Sequence, residues 1–245
     1  MKVPCLLLAT AANLSAAVVA HYDFNSLSSG QNAGMNSLSP IQTIAAMPGT
    51  GSPAMLMTAG GSGGVGLQYS QVVLSDNIDL LGAARQFEVT FDLYLSNIQM
   101  RQGETVRSLE EFSILFDIPQ AQRLDFGRTG NTGGIWTGTG HNGVLVGSFP
   151  FDSVIHFRAA IDLDAGTWST WLDGINLMDS MPMVALPFIR SLSSVRLNLS
   201  DDQVLFGASQ AWVDNITLTS IPEPRSGCLL LLALMKRRRR ECRNL

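Results

Sequence analysis

Between His21 and Ile221 the chain has no cysteine and no lysine. The three cysteines, Cys5, Cys228 and Cys242, lie in the end segments. That placement excludes a disulfide framework and any cysteine-based zinc site from the middle of the chain. Charge is scarce as well, at 15% of residues, and in the middle it is mostly of one sign. From His21 to Ile221, eight arginines face eighteen acidic residues, a balance of −10. An acidic domain repels phosphate backbones, so nucleic acid is not an expected partner. The glycines from Gly60 to Gly64 are not followed by a helix carrying Lys and Ser or Thr, so they do not cradle phosphate.

Catalytic patterns are also missing. A concanavalin-like glycosidase needs carboxylates across a cleft, and no Glu-x-Asp-x-x-Glu segment occurs. Glu88 and Asp92 share one strand face without a third partner, and Glu110 and Glu111 point to opposite faces if extended. His21, His141 and His156 are far apart, and no nucleophile stands beside a base. The chain is not expected to be an enzyme.

What is present is apolar. Hydrophobic residues make up 46% of the 245, enough to fill a core. A domain of about 200 residues buries enough surface to fold without disulfides. Short alternating runs, separated by Gly, Asn, Asp and Pro, dominate the middle and predict an antiparallel all-β domain. Phe87, Val89, Phe91, Leu93 and Leu95 alternate with polar residues, as do Phe157, Ala159, Ile161 and Leu163. Asp164-Ala165-Gly166 predicts a tight turn into a return strand from Thr167 to Leu172, and Asp173-Gly174 a second turn into Ile175 to Leu177. Phe112 to Ile118 and Ala211 to Thr219 are further strands. Asn142-Gly143 predicts a hairpin between Ile135-Trp136 and Val144 to Phe151. Residues 28–66 read as long loops with a few short strands.

The two ends differ from this middle. Lys2, the apolar stretch Val3 to Ala12 and a small-residue run to Ala20 form an export leader. With Val18 at −3 and Ala20 at −1, signal peptidase is expected to cut before His21. The other end carries Pro222-Glu223-Pro224, an apolar run from Gly227 to Met235, and the basic cluster Lys236, Arg237, Arg238, Arg239 and Arg240. The prolines end the preceding strand, and the basic cluster resists crossing a membrane. The expected organisation is a signal segment over residues 1–20, a passenger over 21–220 and a sorting tail over 221–245.

The order of parts in the tail resembles the PEP-CTERM sorting signal. That resemblance implies an exosortase-like processing enzyme as partner, a membrane contact through the C-terminus, and a cell-surface or extracellular-matrix location beside exopolysaccharide. The apolar run of nine residues is roughly 14 Å long as a helix. A bilayer core is about 30 Å thick, so the tail is suited to brief anchoring before processing. The stretches HYDFNSL, HFRAAIDLDAGTWSTWLDGINL and AWVDNITLTSIPEP resemble concanavalin A-like or laminin-G-like domains. This implies an antiparallel β-sandwich of jelly-roll type, flanked by the signal helix and a short C-terminal hydrophobic helix.

Two kinds of binding are expected of such a domain. Jelly rolls of this type often hold a structural Ca²⁺ between first and last strands, which the resemblance places at Asp23 and Asp214, with backbone carbonyls completing the oxygen shell. Trp136, Trp168, Trp171 and Trp212 are candidates for stacking on sugar rings. Trp168 and Trp171 are three apart on one strand, so only one of them faces the core. A closed, evenly acidic surface would favour a structural or adhesive passenger, and an exposed aromatic beside a shallow polar groove would favour a carbohydrate-binding module.

Overall fold

The structure, a computed structural model, describes residues 17–30, 36–37, 42–59, 68–74, 85–97, 109–116, 122–129, 132–137, 143–183, 194–201 and 209–221. No helix occurs among them, and so none is long and apolar enough to cross a membrane. The strands in chain order begin with β1 (Ala17–Tyr22), β2 (Asn36–Ser37), β3 (Thr43–Ala46), β4 (Pro53–Ala59) and β5 (Gln68–Leu74). Then come β6 (Gln86–Leu95), β7 (Leu109–Phe116), β8 (Gln122–Thr129), β9 (Thr132–Thr137) and β10 (Val144–Phe149). The last five are β11 (Val154–Asp162), β12 (Thr167–Leu172), β13 (Ile175–Pro182), β14 (Val195–Asp201) and β15 (Ser209–Ile221). The expected signal helix and C-terminal helix fall outside the described residues, except that residues 17–20 belong to β1.

Two antiparallel sheets form a sandwich. The eight-stranded sheet runs β13-β12-β11-β6-β15-β4-β3, with β1 pairing β15; the seven-stranded sheet runs β10-β9-β8-β7-β14-β5-β2. Strand alternation turns one side chain in two inward. Phe87, Phe91 and Phe157 from the first sheet meet Phe112, Phe116 and Phe126 from the second, all fully buried. Edge-on ring pairs lock the layers together: Phe91 with Phe112 at 6.1 Å, Phe126 with Phe157 at 5.6 Å, and Phe116 with Trp168 at 5.9 Å.

The expected strands form over the described residues, which leave out 117–118 and Asn142, and the Asp164-Ala165-Gly166 and Asp173-Gly174 turns act as their chemistry requires. Asp173 and Gly174 carry φ of 48° and 79°, the left-handed pair that a two-residue hairpin needs. Asp162 Oδ1 accepts from the backbone N–H of Asp164 (2.9 Å) and Ala165 (2.8 Å), which stabilises the preceding turn. The region expected as long loops with a few short strands contains β2, β3 and β4 among its described residues. Its strand β4 is internal, with β15 on one side and β3 on the other.

The pairing of β6 with β15 is irregular at one point. Its register slips between Asp214 and Thr217, and Asn215 sits at φ 51°. A bulge of this kind re-aims side chains. Here Val213 and Asp214 are both buried in succession, where regular alternation would put one of them outside.

Candidate functional site

The fold brings Asp23 and Asp214 within electrostatic reach of each other and adds Asp92, which pairs with Asp214 across β6 and β15. Burial raises the Asp214 carboxyl above its ordinary value, and the charges of Asp23 and Asp92 push it the same way; hydrogen bonds from the Asn215 backbone and Ser52 oppose the shift. The neighbouring carboxylates already have donors. Asp92 takes the Asn215 side-chain amide at 2.7 Å and bonds His156 Nδ1 at 2.8 Å. Asp23 accepts the Asn25 backbone N–H at 2.9 Å. Among the described residues no group of three or more His, Cys, Asp or Glu side chains is arranged to hold a metal ion. A calcium ion at Asp23 and Asp214 would therefore rest on backbone carbonyls for the rest of its shell.

The four tryptophans separate sharply. Trp168 is in the core, 4% exposed, and is corrected from a stacking candidate to a packing residue. Trp171 lies on the opposite face of β12, as its spacing predicts. The Arg158 guanidinium covers its ring at 4.3 Å, held there by Glu88 at 2.6 Å. Trp212 stands edge-on to Tyr94 at 5.4 Å. Its indole nitrogen is buried without a hydrogen-bond partner. These two rings are engaged by their own sheet.

A small groove of about 240 Å³ opens on the same sheet, lined by residues that include Gln86, Ala160, Asp162, Thr167, Ser169 and Ser180. Its hydroxyls and carboxylate are polar enough for a sugar. The only aromatic residues on its wall, Phe87 and Trp168, are core side chains.

The seven-stranded sheet presents a different surface. Phe112, Ile114, Phe116, Leu124, Phe126, Val195, Leu197 and Leu199 face the core, so the residues between them face outward. In register across six strands stand Gln71 (β5), Asn198 (β14), Ser113 (β7), Asp125 (β8), Trp136 (β9) and Leu145 (β10). At the spacing of paired strands this row is roughly 24 Å long. Gln71 Nε2 donates to Asn198 Oδ1 at 2.6 Å, and Arg123, two residues along β8, pairs with Asp125. Gln71, Ser113 and Asp125 are 8%, 3% and 1% exposed, so this part of the row is covered; Asn198 and Trp136 are half-buried and Leu145 is exposed. The adjacent row is nearly bare, with Gly127 opposite Gly134 and Gly134 opposite Ser148. The half-buried Trp136 ring lies over Gly134, within 2.5 Å of where a Cβ there would stand.

Of the sequence candidates, this surface keeps Trp136. Gln71, Ser113, Asp125 and Asn198 escape sequence reasoning, because short polar side chains spread over four strands carry no motif. The sorting residues Pro222, Glu223 and Pro224 and the cluster Lys236 to Arg240 lie outside the described residues.

No protein-family model matches the chain, and no curated protein matches it. Solved structures do. A sialidase superposes over 83% of this chain and 19% of its own, with TM-score 0.53 and 14% identity. A carbohydrate esterase from the Shiga toxin-encoding bacteriophage phi24B is covered in full by 85% of this chain, at TM-score 0.51 and 11% identity. Botulinum neurotoxin type C, whose route into cells depends upon interaction with two ganglioside molecules, matches over 88% of this chain and 50% of its own, at TM-score 0.50 and 10% identity. The likeness at these identities is one of fold. The chain spans about a fifth of the sialidase's length.

Proposed function

We propose that the chain is an exported cell-surface or matrix protein whose sandwich, a jelly roll of the laminin-G kind, binds carbohydrate along the outer face of its seven-stranded sheet. The observation that carries this reading is the half-buried Trp136 ring beside the exposed Leu145 and Ser148 of β10. A sugar presents apolar C–H faces and a rim of hydroxyls. Trp136 offers the flat apolar partner for the first, and the exposed Ser148 on the neighbouring strand offers a hydroxyl for the second. A sheet fixes these groups in register, which lowers the entropic cost of binding. The acidic balance of −10 from His21 to Ile221 favours an uncharged glycan over a polyanion. Trp171 and Trp212 are the poorer platforms, since Arg158 and Tyr94 already occupy them.

The address is read from the two ends. The leader directs export and is cut by signal peptidase. The Pro222-Glu223-Pro224 motif, the apolar run and the Lys236 to Arg240 cluster direct an exosortase-type system, with brief membrane contact and delivery beside exopolysaccharide. On this reading the protein acts by binding, not by turnover.

The test is a glycan array and calorimetry on the exported protein. Binding to neutral polysaccharides is expected, abolished by Trp136→Ala and retained in Trp171→Ala. Binding that survives Trp136→Ala defeats the assignment. A wild-type protein that binds no glycan returns the passenger to a purely structural or adhesive role.

A further inference from the structure

Strand β1 does not start where the expected leader ends. Among the described residues it reaches back to Ala17, four residues before His21, and pairs with the second half of β15: Ala17 with Ser220, Val18 with Thr219, Ala20 with Leu218, His21 with Thr217 and Tyr22 with Ile216. Val19 and Ala20 are 7% and 5% exposed and belong to the core cluster. Strand β15 receives β4 along residues 209–213 and β1 along 216–220, both on the flank opposite β6. Without β1 that flank of β15 is bare beside Ile216 and Leu218, both fully buried.

We infer that signal peptidase cuts between Ala17 and Val18, so that the mature chain begins at Val18. The inference rests on the proposed export of the chain. A cut before His21 would leave only His21 and Tyr22 of β1 paired, strip Val19 and Ala20 from the core, and free a row of backbone donors and acceptors on β15. A cut before Val18 removes one register pair, Ala17 with Ser220, and keeps the other four. The sequence permits it. Ser15 and Ala17 stand at −3 and −1, both small, after the apolar stretch Val3 to Ala12 and a short polar-to-small segment. The pair Ala9 and Ala11 would cut inside the apolar run. Val18 and Ala20 satisfy the same side-chain rule, and the sequence rule alone does not separate the two sites; the burial of Val19 and Ala20 does.

The pairing of Ala17 with Ser220 also places the leader's end beside the start of the tail. Processing at either end leaves the sheet order untouched only if the cut falls outside β1 and β15.

The full chain, expressed with its own leader in a Gram-negative host, gives the answer by intact mass and N-terminal sequencing of the exported product. The expected first residue is Val18. In the variant Ala17→Leu, with a large side chain at −1, the Val18 terminus is expected to disappear and precursor to accumulate. A mature chain beginning at His21 overturns the site and leaves export standing. A product still beginning at Met1 and retained in the cytoplasm overturns both. A Val18 terminus that persists at full yield in Ala17→Leu overturns the peptidase assignment.

Discussion

The Trp136 ring fills the space that a side chain at Gly134 would occupy: a Cβ there would stand 2.5 Å from Cη2 and 2.8 Å from Cζ2. Two residues on the same strand face thus share one volume, and glycine is what lets the ring settle onto the sheet. Gly134→Ala is expected to lift the ring and weaken glycan affinity about tenfold, or about 1.4 kcal/mol. Calorimetry reads the affinity, and indole fluorescence reads the ring's displacement. Unchanged affinity with a shifted fluorescence maximum would separate Trp136 from binding.

Trp168 and Trp171 differ in what they support. Trp168→Ala opens the core against Phe116 and is expected to cost about 3–5 kcal/mol. Trp171→Ala loses mainly a partly exposed cation–π contact with Arg158, about 0.5–1 kcal/mol. Urea unfolding of the two variants checks the order, and a larger loss at Trp171 would contradict it.

Asp125 is buried beside a partly exposed Arg123. Arg123→Met removes the ion pair with the buried Asp125, and a loss of about 1–3 kcal/mol is expected. Adding Asp125→Leu should recover part of that loss, because the buried carboxylate that lost this ion pair is gone. A double mutant no more stable than Arg123→Met alone would show that Asp125 does not owe its state to Arg123.

Stability near Asp214 should depend on pH in a defined direction. Its carboxyl is raised above the ordinary 3.8, first by burial and then by Asp23 and Asp92. The folded state therefore holds that proton more tightly than the unfolded chain. This contribution is fully present below the ordinary carboxylate value and is lost as pH rises through the raised one. Asp214→Asn mimics the protonated form, so it should flatten the fall in unfolding midpoint above about pH 4. His156, hydrogen-bonded to Asp92, also faces this cluster, so the same comparison is repeated in a His156→Gln background. An identical pH slope in wild type and Asp214→Asn would refute the assignment.

Much of the sheet structure is legible from alternation and turn chemistry. The β11–β12–β13 meander follows from Phe157 to Leu163, the Asp164-Ala165-Gly166 turn and Asp173-Gly174. Strand β6 follows from its five inward apolar residues. Strand β8 escapes the same rule, because its outward positions, Arg123, Asp125 and Gly127, look like a loop until neighbours on both sides bury them. Strand β4 escapes it because Ala54 and Met55 are buried in succession. Strand β14 alternates cleanly, yet falls outside the expected set. The binding face is less legible still. Trp136 is a candidate on residue type alone, whereas Leu145 and Ser148 acquire a meaning only beside it.

By itself the sequence determined the class of the protein: an acidic, cysteine-free β domain between an apolar start and a basic end. Those properties are sums and local periods, and they do not depend on which strand neighbours which. The tertiary structure decided what is non-local. It set which tryptophan is core and which lies on a sheet face, since register across six strands depends on pairing between residues as far apart as Gln71 and Asn198. It buried Asp214 against Asp92, Asp23 and Ser52, just before the bulge at Asn215. It also extended the first strand back to Ala17, because the flank of β15 from Ile216 to Ser220 pairs with residues that a local cleavage rule assigns to the leader.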